Sequence, residues 1–177
     1  MTPSVPTIDD ILGHVIHAER ERATGVKRRR IDLVESLLRE CLETDGERIL
    51  VEPDRVLLAA ERQFEPDGAF TRTMHAEDLL FVLPLFLTSP WLRPNHLEQR
   101  VQLDLAEILA TAVMRSGLVP REGRQCILMD IRGAIDRGRW ELYRAKRERQ
   151  RMRRAAQETA MAERRAALVE SLRPRQR

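Results

Sequence analysis

Apolar residues recur along this chain at intervals of three and four for most of its length, the spacing of one face of an α-helix. Ile8, Ile11, Leu12, Val15 and Ile16 make the first such stripe. It is introduced by Thr7 with Asp10 three residues on, the pattern of an N-terminal capping box, and it fades near Thr24-Gly25. A second helix is predicted from about residue 28 to 43, with Ile31, Val34, Leu37, Leu38, Cys41 and Leu42 on one face and Asp45-Gly46 as its end. Ile49-Leu50-Val51 reads as a short strand or an extended connector. Pro53 suits the first turn of a third helix, whose apolar face is Val56, Leu57, Ala60 and Phe64, and Glu65-Pro66-Asp67-Gly68 is a turn.

A fourth helix is expected after Thr73, entering an uncharged run over residues 79–92 that contains Phe81, Phe86 and Trp91. Pro84 must kink or end it, because proline removes a donor and crowds the preceding turn. The run is too short to span a bilayer, so it reads as core. Asn95 followed by Glu98 resembles a capping box for a fifth helix, which carries Leu97, Val101, Leu105, Ile108, Leu109 and Ala112 on one face and is closed by Ser116-Gly117. A sixth helix over residues 124–135 uses Ile127, Leu128, Ile131 and Ile135, and Asp136-Arg137-Gly138 is expected to break the chain. Nothing interrupts a helix between Trp140 and Leu172, a length of about 50 Å at 1.5 Å per residue. The expected fold is all-α, a helical bundle or array of about six helices with a long basic C-terminal helix. Its helical body covers residues 5–138 and its Arg-rich extension residues 139–177. Trp140, Leu142 and Tyr143, the large apolar residues at the base of the extension, are expected to anchor it to the body.

Charge sharpens this division. The chain of 177 residues carries a formal net charge of +3, but residues 139–177 hold 13 basic and 5 acidic side chains, a net of +8, and residues 1–138 a net of −5. Asymmetry of this kind marks a basic arm with a task of its own. The cations are 29 Arg and two Lys, Lys27 and Lys146. A GC-rich genome would explain that ratio but not the clustering. Arg144, Lys146, Arg147, Arg149, Arg151, Arg153 and Arg154 fall in eleven residues with one carboxylate, Glu148. Arg144, Arg147, Arg151 and Arg154 share a helix face, and Lys146, Arg149 and Arg153 lie on the adjacent one. A broad cationic surface of this kind is rewarded by a phosphate backbone through counterion release. Residues 144–154 contain no aromatic to stack on bases, so sequence-specific reading of single strands is not expected. Lys27, Arg28, Arg29 and Arg30 form a second basic run where the helix dipole disfavours cations. It could extend the phosphate-binding surface, or act as a nuclear address in a eukaryote.

Other chemistry finds little support. His14, His17 and Glu21 lie at helical spacing that could seed a metal site, but His75 and His96 stand apart and exposed histidines are the better reading. The sequence has no Gly-rich phosphate loop, Gly-x-Ser-x-Gly elbow or Cys-x-x-Cys. Cys41 and Cys126 make no spaced motif, and the start MTPSVPTIDD lacks the basic and apolar stretches of a secretory signal. The expectation is a cytoplasmic protein with no catalytic residues, no metal, no cofactor and no membrane contact. Its expected partner is nucleic acid, held by the backbone with low sequence specificity. The alternative is an adaptor or assembly subunit that docks its C-terminal helix, through Met161, Leu168 and Leu172, on an acidic protein partner or on another copy in a homo-oligomer.

Overall fold

The computed structural model describes residues 5–120 and 124–171. Among them, seven α-helices follow in order: α1 (Ile8–Arg22), α2 (Gly25–Asp45), α3 (Glu52–Phe64), α4 (Ala69–Thr73), α5 (Ala76–Phe86), α6 (His96–Ser116) and α7 (Arg124–Ser171). The fold is all-α, and the described extended pairing is a lone bridge between Thr7 and His75. No described helix is long and apolar enough to cross a membrane. The chain divides into two units between Arg139 and Trp140.

In the first unit, α2 packs against α1, α4, α5 and α6. The core is built from Ile8, Leu12 and Ile16 of α1, Leu38 and Leu42 of α2, Phe70 of α4 and Leu79, Leu80, Leu83 and Phe86 of α5, all nearly or fully buried. In the uncharged run over 79–92, Leu79, Leu80, Val82, Leu83, Phe86 and Leu87 are core, while Phe81, Thr88, Ser89 and Pro90 are exposed. Local signals explain most boundaries. The Thr7 hydroxyl accepts the Asp10 N–H at 3.3 Å while the Asp10 carboxylate accepts the Thr7 N–H at 2.9 Å, satisfying donors that a helix start leaves unpaired. Asn95 Oδ1 accepts the Leu97 N–H at 2.9 Å, but Glu98 does not close a box. It pairs instead with Arg93 at 2.8 Å. Pro84 lies in the last turn of α5, which ends two residues later.

Several expectations are corrected. Residues 49–51 form no strand; a 3₁₀ turn, Gly46–Ile49, leads into an extended connector. Gly46 has an ordinary helical φ of −61°, so it is not needed there for a left-handed turn. A Cβ at that position would lie 2.6 Å from two carbons of the buried Phe70 ring, and close approach is the reason for the glycine. The break at residues 136–138 is absent, for α7 runs through it. A Cβ on Gly138 would come within 2.7 Å of Leu103 Cδ2, so this glycine lets α7 lie against α6 rather than ending a helix. The buried face of α6 includes Leu105 and Leu109 of the predicted stripe but is wider and shifted toward Gln99, Gln102, Leu103, Ala106, Ala110 and Val113; Val101, Ile108 and Ala112 are half-buried and Leu97 is exposed. On α3 the predicted apolar face stays outside. Val56, Leu57 and Phe64 are 62%, 50% and 86% exposed, and only Leu58 is buried.

The second unit is the part of α7 from Trp140 onward, about 50 Å of helix to Ser171. Trp140 and Tyr143 are 60% and 49% exposed, so they are not the buried anchors expected of them. Leu142 between them is half-buried. Leu172, one of the expected docking residues, and the rest of the extension to residue 177 lie outside the described residues; Met161 and Leu168 are exposed.

Candidate nucleic-acid interface

All seven predicted cations of residues 144–154 are exposed on one uninterrupted helix. At 100° per residue, Arg144, Arg147, Arg151 and Arg154 fall within an arc of about 80° and recur over about 15 Å of the axis. Lys146, Arg149 and Arg153 widen the cationic surface beyond that arc. Among the described residues, no carboxylate pairs with Arg144, Lys146, Arg147, Arg151, Arg153 or Arg154; Arg147 lies over the Tyr143 ring, its guanidinium carbon 5.7 Å from the centroid.

The first unit uses arginine differently. Arg20 of α1 reaches Asp32 at 2.6 Å and also binds Glu35 of α2, and Arg39 joins Glu35 at 3.2 Å to Asp9 at 2.6 Å, so five side chains fasten two helices. Arg62 reaches Glu47 at 2.6 Å, Arg72 reaches Glu61 at 3.0 Å, and Arg93 reaches Glu98. Arg139 grips Glu107 at 2.6 Å and Asp104 at 3.2 Å. Such pairs satisfy each other's charge and leave little for a ligand. Among the described residues, Arg144, Lys146, Arg147, Arg151, Arg153 and Arg154 of α7 have no such partners, so their charge faces solvent.

The second basic run lies in the first unit, at the start of α2. Lys27, Arg28 and Arg29 are exposed and Arg30 half-buried. Arg28 turns to Glu21 at 3.6 Å, and Lys27 shares a cavity of about 250 Å³ with Glu19, Asp104 and Glu107. Local carboxylates thus balance part of this run.

His14 and His17 are exposed, and no three His, Cys, Asp or Glu side chains among the described residues converge on a metal position. The hydrogen bond from Arg139 holds the Glu107 carboxyl below its ordinary range, the opposite of what a proton donor at neutral pH requires. Burial pushes the Cys41 thiol up to about 12, which disfavours the reactive thiolate. Cys126 is exposed and free.

One feature of the surface was not legible as such in the sequence. Trp140 and Tyr143 stack on each other with ring centroids 5.7 Å apart and planes 26° from parallel, and both open to solvent immediately before the cationic segment. Their apolar character suggested core anchors, and only the exposure of the rings distinguishes the two roles. No family model, curated protein or solved structure matches this chain.

Proposed function

We propose that this is a non-enzymatic cytoplasmic protein that binds nucleic acid, or joins a nucleoprotein complex, by gripping phosphates with the Arg-rich segment of α7. The observation that carries this reading is the contrast in arginine use. Among the described residues, ten arginines of the first unit pair with carboxylates, whereas Arg144, Lys146, Arg147, Arg151, Arg153 and Arg154 pair with none. Arginine presents a planar fork of donors matched to phosphate oxygens, and an unpaired row of them attracts a polyanion and releases its counterions. The contacts carry no base information, so sequence specificity is low. The reversal Arg147→Glu with Arg151→Glu is expected to weaken binding of full-length protein to a labelled duplex by at least about ten-fold. Anisotropy titrations should show the same loss for unrelated duplex sequences. Unchanged affinity would remove α7 from the interface.

The exposed stripe of α3 favours a second reading, an assembly subunit that covers this face with a protein partner. Contiguous exposed apolar residues are characteristic of interaction sites. If Val56, Leu57 and Phe64 serve self-association, sedimentation should show an oligomer that Leu57→Ser with Phe64→Ser returns to monomer without loss of helical content. A monomer at all concentrations would exclude that version of the reading.

A further inference from the structure

We propose that the exposed pair Trp140 and Tyr143 is a stacking platform for bases of single-stranded nucleic acid, continuous with the arginine row of α7. This deepens the phosphate-binding reading and rests on it. Trp140, Tyr143, Arg144, Arg147, Arg151 and Arg154 recur at helical spacing and fall within an arc of about 100°. Along the axis, two aromatics are followed by four cations over about 21 Å. The rings are 60% and 49% exposed, already stacked on each other, with the Arg147 guanidinium laid against Tyr143.

Large aromatic faces left in water are unfavourable unless something covers them. Here the neighbouring charge says what that is, because a ligand reaching the rings along this face must also satisfy a row of cations. Aromatic faces beside a cationic track are the combination that holds single strands, whose unpaired bases present π-faces while their phosphates follow the charge. A duplex keeps its bases stacked inside and can use only the arginines. Stacking accepts any base, so the platform selects strand form and leaves sequence specificity low.

The two tryptophans make the test direct. Trp91 is half-buried and its indole N–H donates to Asp45 at 2.6 Å, so Trp140 is the indole open to a ligand. Titrating the full chain with oligothymidylate of about 12 nucleotides should quench tryptophan fluorescence, and a duplex of equal charge should quench it little. Trp140→Ala with Tyr143→Ala is expected to weaken oligothymidylate binding by about ten-fold or more and to change duplex binding by less than about two-fold. Trp140→Phe should keep most of the affinity while abolishing the quenching. Both rings are exposed, so unchanged circular dichroism should accompany these losses. If the double alanine variant binds both strand forms as the parent does, or loses both equally, the platform is refuted. The effect of Arg147→Glu with Arg151→Glu then decides the phosphate reading separately. If neither strand form binds at low salt, both fall together.

Discussion

Raising the salt concentration from about 50 to about 200 mM is expected to weaken duplex binding by about two orders of magnitude. Arg144, Arg147, Arg151 and Arg154 share one exposed face of α7, and each can neutralise one phosphate. Four neutralised phosphates give a slope of about −3.6 in log affinity against log salt, so a four-fold rise in salt costs about 150-fold. A single strand holds fewer condensed counterions, and the same four contacts give a slope of about −2.8, or about 50-fold. Arg147→Glu with Arg151→Glu should take about 1.8 from the duplex slope, because two contacts are gone. Ion pairs inside the first unit, such as Arg20 with Asp32 and Glu35, are already closed and should contribute nothing to the slope. Equilibrium titrations at several salt concentrations check this. A slope near zero would mean that apolar docking, as through Met161 and Leu168, dominates instead.

Replacing Gln102 by leucine is expected to destabilise the first unit by about 4 kcal/mol. Gln102 is fully buried on α6. Its Nε2 donates to the carbonyl of Phe86 at 2.7 Å and to that of Trp91 at 3.2 Å, and its Oε1 accepts the Arg93 N–H at 3.0 Å. One amide thus satisfies backbone groups at the end of α5 and along the connector to α6. Leucine matches its size but leaves these groups without partners, and a buried polar group stranded in this way costs about 1–3 kcal/mol. With partial relaxation and some gain from the added apolar surface, about 4 kcal/mol remains, roughly a thousand-fold in the folding equilibrium. Urea denaturation followed by circular dichroism measures it. A loss below about 1 kcal/mol would show that water or a shifted backbone replaces the amide.

The α-helical class and most of its boundaries were legible because they rest on local chemistry. Thr7 with Asp10 caps α1, Asn95 caps α6, Gly117 ends it in a left-handed conformation with φ 73°, and the stripes of α1 and α2 face inward as their spacing requires. The cationic cluster was equally plain, since seven basic residues in eleven cannot be buried without partners. In these places the sequence speaks through interactions between residues at most four apart, and their outcome depends little on the rest of the fold.

What such spacing leaves open is which neighbour each surface meets. The stripe of α3 has the periodicity of a core face, yet α3 packs mainly on α4 and leaves Val56, Leu57 and Phe64 outside. Gln102 looks like a surface residue, yet it is buried because the end of α5 presents carbonyls to it. Gly46 ends α2 as expected, yet it is also where Phe70 comes too close for a Cβ, and Gly138 reads as a breaker although α7 runs through it close against Leu103. Trp140 and Tyr143 read as anchors, yet their rings are open to solvent. Periodicity shows that a helix has an apolar side; only the packing of elements distant in sequence determines whether that side is covered, which glycine is crowded and which polar group is buried with its partners.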